Sequence, residues 1–132
     1  MSEDALVREV RELHRDLGGW LGSADNAARE RFLGQQHAEF SMVTLDGDIL
    51  TRATLADHLR GAGGAVPGLR IDIDDIEILV RTAETAAVRF RERHRHGDTV
   101  AARLTTAVLL TDPAARNGLR WRSVHETACA DK

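Results

Sequence analysis

The sequence has no tyrosine, one cysteine and two prolines, and its aromatic rings are confined to three phenylalanines and two tryptophans. Each shortage excludes something. Without tyrosine no phenol is available as an oxyanion donor. Cys129 can form no internal disulfide, and with neither a His/Asn nor a resolving-cysteine pattern around it a nucleophilic role is not expected. No linker or low-complexity run divides the 132 residues, so 1–132 reads as one domain, long enough to bury a core of its own. A net charge of -3 and a pI near 6.0 supply no basic field, so nucleic acid is not an expected partner, and no polybasic helix suggests an anionic membrane. Long apolar runs are absent too. The acidic start Met1-Ser2-Glu3-Asp4 leads into an amphipathic pattern, unlike a signal peptide or membrane span, and the expected location is cytoplasmic. Gly61-x-Gly63-Gly64 follows a helix rather than preceding one, the wrong side for anion binding, so no nucleotide or other cofactor is expected.

What is present is patterned. Leu6, Val10, Leu13, Leu17 and Leu21 recur at helical spacing behind a Ser2 or Asp4 cap, predicting a helix over Glu3 to Leu17 that Gly18-Gly19 ends. His14, as a polar residue, is read as helix surface. Trp20 then seals a core or closes one end of a pocket. A second helix spans Ala24 to Leu33 and carries Phe32 inward; a third spans Ala53 to Arg60, opened by Thr51 or by a Thr54–Asp57 capping box, and buries Leu55 and Leu59. Between them a strand from Ala38 to Leu45 alternates Phe40 and Met42 against Ser41 and Val43, and Asp46-Gly47 turns it into a short hairpin. The glycines around Gly63 and Pro67-Gly68 make a lid or a plain connection.

Four strands follow, about Leu69–Val80, Ala86–His96, Thr99–Thr111 and Leu119–Cys129, linked by turn residues as an antiparallel meander. Arg89, Arg91, Arg93 and Arg95 share one face of the second, and Asp72, Asp74, Asp75 and Glu77 of the first can face them, the double aspartate marking a bulge. In the third, Arg103 and Thr105 are assigned to the interior and the Ala102, Leu104, Val108, Leu110 face to a homodimer surface, with the reverse as the alternative. In the last, strict alternation puts Trp121, Ser123, His125 and Thr127 together on the interior face.

The order of elements, with Phe40 and Asp46-Gly47, Arg52, Pro67-Gly68-Leu69, Arg103-x-Thr105 and Gly118-Leu119-x-Trp121-x-x-x-His125-Glu126-Thr127, resembles the nuclear transport factor 2-like superfamily, over Trp20 to Thr127. Within it the chain is similar to the SnoaL-like and ketosteroid isomerase-like group of small bacterial domains. The resemblance implies an α+β cone in which helices pack on a curved, mostly antiparallel sheet. It does not carry over catalytic residues. The steroid isomerases use a carboxylate base near the first hairpin, where this chain offers Thr44 or Leu45, and a tyrosine this chain lacks. The limonene epoxide hydrolase branch follows its arginine with an aspartate, where Arg103 is followed by Thr105.

The candidate chemistry is therefore read from the residues. His125 is an acid/base or a buried structural histidine. An interior Arg103 needs an anionic partner: either Glu92 neutralises it, or it is free to bind a ligand carboxylate or enolate. His94-x-His96 has metal-ligand geometry but no evident third ligand, and no metal is expected. The leading expectation is a small-molecule-binding domain, with Trp20, Phe32, Phe40, Met42, Leu55, Leu59, Phe90, Thr105, Trp121 and Ser123 around a small apolar or weakly acidic ligand anchored by Arg103 and His125. The alternatives are an isomerase, cyclase or dehydratase with His125, Arg103 and Glu92 as catalytic residues, and a structural or assembly module.

Overall fold

A computed structural model of the chain describes residues 1–131. The Ser2 hydroxyl accepts from the Ala5 N–H at 3.0 Å and starts α1 (Glu3–Ser23). Asp25 caps α2 (Asn26–Gly34) through the Ala28 N–H, and Thr51 and Thr54 form the capping box of α3 (Arg52–Arg60), in place of the expected Thr54–Asp57 pair. The strands are β1 (Gln36–Val43), β2 (Ile49–Thr51), β3 (Arg70–Arg81), β4 (Thr85–His96), β5 (Thr99–Thr111) and β6 (Leu119–Cys129). They form one six-stranded sheet in the order β2-β1-β6-β5-β4-β3, antiparallel except where β1 lies parallel to β6. Among the described residues no helix is long and apolar enough to cross a membrane.

The first helix corrects the expected boundary: it runs through Gly18 and Gly19 to Ser23, and Trp20 lies inside it. Packing explains the extension. A Cβ on Gly22 would meet the Leu69 carbonyl oxygen at 2.9 Å, so the glycine face of α1 lies against the backbone leading into β3. The Trp20 indole donates to the Leu59 carbonyl at 2.8 Å, and a side chain on Gly63 would strike its ring at 2.5 Å. The Gly-rich loop is a connection: N–H groups of Gly64, Val66 and Gly68 bond the carbonyls of Trp20, Leu21 and Gly22 in the last turn of α1.

The apolar stripe of α1 packs on the concave face of the sheet against Val88, Phe90, Ala107, Leu109, Leu119 and Trp121. One carboxylate fixes its orientation. Glu9, fully buried, accepts from the Trp121 indole N–H at 2.8 Å, from Arg116 at 3.0 Å and from Asn117 at 3.0 Å. Arg116 also reaches Asp16 at 2.7 Å, and Asp16 accepts from Arg31 of α2 at 3.0 Å.

On the other face of β4 the expected ladder forms: Arg89 pairs with Glu77, Arg91 with Asp75, Arg93 with Asp74 and Arg95 with Asp72. The bulge falls at the double aspartate, where the register shifts after Asp74 and Asp75 takes a φ of 55°. A second bulge was not anticipated. Val108 pairs with Ser123 but Leu109 pairs with Trp121, so Arg122 is extra and β6 changes face behind it.

The glycines of α1 give a direct stability test. A Cβ at Gly18 meets nothing nearer than 3.9 Å, so Gly18→Ala should stabilise the fold by up to about 1 kcal/mol through helix propensity. Gly22→Ala should destabilise it, because the obstacle is backbone. Urea unfolding of the two variants distinguishes close packing from simple helix extension.

Candidate functional site

The concave face encloses a cavity of about 260 Å³ between the sheet, α1 and α3. Its walls include Phe32, Phe40, Met42, Leu55, Leu59, Phe90, Thr105 and Trp121, eight of the ten residues expected to hold a ligand. Trp20 is not among them; its indole is used against Leu59 and its ring stacks under Arg29, 4.8 Å away. A wider and more open groove of about 690 Å³ runs between α1 and β3, lined by Arg11, Arg15, Arg70, Asp72 and Asp74 together with His14.

The bulge at Arg122 overturns the expected placement of His125 and Ser123. Beyond it Val124 and Glu126 turn inward and line the cavity, whereas Ser123 and His125 turn to the convex face, with His125 exposed. His125 therefore does not face a ligand held in the cavity. The signal was present: Val124 is the one large apolar side chain between Trp121 and Cys129, and it stands at odd spacing from Trp121.

The histidines that do reach the cavity come from α1, α3 and β4. His14, expected on the helix surface, is 6% exposed, and His94 and the solvent-facing His58 also line the walls. His14 follows Val10 by one helical turn, so it shares the apolar stripe; its polar type had set it aside. Its ring meets Phe90 and Trp121 edge-on at 5.1 and 6.1 Å.

Glu92, 3% exposed, is the hub of this polar group. It accepts from Thr105 Oγ1 at 2.8 Å and from His94 Nε2 at 2.9 Å, and it faces His14 Nε2 at 3.2 Å. His14 Nδ1 lies 2.6 Å from the Val10 carbonyl, which can only accept, so that nitrogen carries a proton. Both ring nitrogens thus face acceptors, which favours the doubly protonated ring. Burial by itself lowers the His14 pKa, but the charge of Glu92 and the hydrogen bonds to Glu92 and Val10 outweigh it and raise the value. For Glu92, burial acts upward and is outweighed by the charge of His14 and the bonds from His14 and His94, which hold the carboxyl well below the usual carboxylate range.

Arg103 stands opposite Glu92 in the β4–β5 register, yet it does not pair with it. Its Nη1 donates to Glu126 Oε2 at 2.8 Å. Glu92 is committed to the histidines, and the inward turn of Glu126 supplies a second carboxylate. The Arg103 Nε is buried and has no partner among the described residues. Leaving such a donor unmatched costs about 1–3 kcal/mol or more for a charged group.

These features define a class of protein: a curved sheet closed by a long helix around an interior cavity. No family model and no curated protein matches the sequence. Among solved structures, the chain is similar to a nuclear transport factor 2-like protein of unknown function from Pseudomonas aeruginosa, at 33% identity over 96% of this chain and 99% of that one, with a TM-score of 0.88. The chain belongs to the nuclear transport factor 2-like family. Its fold is also that of a CaMKII hub from S. rosetta, at 13% identity over 96% and 95% of the two chains with a TM-score of 0.75, and of a proposed ketosteroid isomerase from Parabacteroides distasonis, at 16% identity over 94% and 84% with a TM-score of 0.66.

The His14–Glu92 pair predicts a pH window for stability. His14, with its pKa raised above the ordinary 6.5, contributes fully below that value and loses its contribution as pH rises through the raised one. Glu92, depressed from 4.5, contributes fully above that value and loses its contribution as pH falls. The stability difference between wild type and His14→Gln, from urea unfolding, should be greatest between about pH 4.5 and 6.5 and shrink above neutrality. A difference that instead falls as the pH drops below 6.5 would mean that His14 stays neutral in the folded chain.

Proposed function

We propose that residues 1–132 form one small-molecule-binding domain whose interior takes a small, weakly acidic organic ligand. The observation that carries this reading is the buried, unmatched Nε–H of Arg103, a residue that lines a cavity with largely apolar walls. A carboxylate, enol or similar oxygen would complete it, while Glu126 holds the guanidinium in place from its other side. The same reading includes a homodimer through the convex face of β5, where Leu104, Val108 and Leu110 remain partly exposed; one fold neighbour is named as a hub. It also includes a cytoplasmic location, consistent with a lone free Cys129.

The test is a thermal-shift screen with small carboxylates, enolisable ketones and neutral amides of the same skeletons. An acid at about a hundred times its Kd adds about 2.7 kcal/mol, a shift of several degrees in a domain of this size. Arg103→Gln should lose the acids and keep the weak binding of the amides. Acids that bind Arg103→Gln as well as wild type would refute the anchoring role.

A second reading, an isomerase, cyclase or dehydratase, is favoured by one contact. His94 Nε2 is oriented by Glu92 at 2.9 Å, which leaves Nδ1 as the nitrogen able to take a ligand proton. On this reading His94 takes the acid/base role first expected of His125. Turnover of a bound ligand should then vanish in His94→Ala, fall in Glu92→Gln and be unchanged in His125→Ala; equal loss in all three would point to unfolding instead.

A further inference from the structure

Two buried side-chain atoms are without a partner among the described residues, and both belong to residues lining the same cavity: Arg103 Nε and Gln36 Oε1. They are of opposite kind. Arg103 offers a charged donor, and Gln36 offers an acceptor on a side chain only 2% exposed. The orientation of the Gln36 amide follows from its other end. Nε2 donates to the Phe32 carbonyl at 2.9 Å, at the close of α2, and exchanging the two amide atoms would set oxygen against oxygen.

The two residues sit at different depths. Gln36 is level with Trp121, which pairs with Leu109 of β5, and Arg103 lies six residues along that strand from Leu109. At about 3.4 Å per residue this is roughly 20 Å of strand, part of which the glutamine and arginine side chains span themselves. The walls between the two levels are mostly apolar, with Phe40, Phe90, Val124 and Trp121 prominent, and the polar groups there, Thr105, Glu126 and His14, already have partners. A single polar group cannot satisfy both ends.

Resting on the reading of the cavity as a site for a weakly acidic ligand, we propose that the ligand is an elongated hydroxy acid. Its carboxylate accepts from Arg103 Nε, and a hydroxyl at the far end of an apolar body donates to Gln36 Oε1. The glutamine selects the ligand. A site built around a buried acceptor discriminates against an analogue lacking the donor, because the acceptor is then left unmatched.

Matched pairs test this by calorimetric titration of the full chain: para-hydroxyphenylpropanoate against phenylpropanoate, and hexanoate bearing a terminal hydroxyl against plain hexanoate. In wild type the hydroxy member of at least one pair should bind about tenfold tighter or better than its partner. In Gln36→Leu, and in Gln36→Met as a second variant if the first folds poorly, that ratio should collapse towards one while the plain acid still binds. Arg103→Gln should weaken both members of the pair together. Equal binding of both members by wild type overturns the proposal and leaves the acid-binding reading intact, as does a hydroxyl preference that survives in a folded Gln36 variant. If no acid of either pair binds, the acid-binding reading falls and the proposal with it.

Discussion

A carboxylate shielded from water ties the long helix to the last strand. Glu9 accepts at once from the indole of Trp121, from Arg116 and from Asn117, so α1 can sit on the sheet in only one rotation. Removing one member of such a buried pair leaves an uncompensated charge, whose cost of about 3–5 kcal/mol enforces the arrangement. The rest of the interior follows from that rotation. With Glu9 held at the indole nitrogen, the next turns of α1 bring His14 edge-on to Trp121 and Phe90 and within reach of Glu92.

The interior charges form nearly closed pairs. His14 answers Glu92, Arg103 answers Glu126, and Glu9 and Asp16 share Arg116. The His14–Glu92 and Glu9–Asp16–Arg116 groups are held by further hydrogen bonds, the condition under which buried ions are tolerated at all, whereas Arg103 keeps an unmatched Nε beside its bond to Glu126. Because the ionic demands are met internally, the directional preference of the cavity comes from the few atoms outside these pairs. On the proposed reading, that division separates the scaffold of the site from its recognition elements.

The fold was legible in the sequence because its signals were local. The strand boundaries of β5 and β6, the Asp46-Gly47 hairpin, the aspartate bulge and the arginine ladder all rest on residues close in sequence or on strict alternation. The glycines of α1 misled for a tertiary reason: Gly18-Gly19 reads as a helix end, whereas close approach to the chain at Leu69 is what requires Gly22. The cavity walls were mostly legible, since large apolar side chains on the inward face have one place to go. The polar centre was not. Pairing Arg103 with Glu126 rather than Glu92, and bringing His14 and His94 together, depends on a one-residue bulge and on helix rotation, whose marks in the sequence are slight: the odd spacing of Val124 from Trp121 and the one-turn spacing of His14 from Val10.

The extra residue at Arg122 sets the reading frame of β6. With Arg122 kept and the bulge flattened, strict alternation would put Ser123 and His125 inside and Val124 and Glu126 out. By absorbing one residue, the strand lets a carboxylate rather than an imidazole face Arg103. A chain lacking Arg122 would reach the same faces by plain alternation, so the interior is indifferent to losing this residue and sensitive only to how the strand accommodates it.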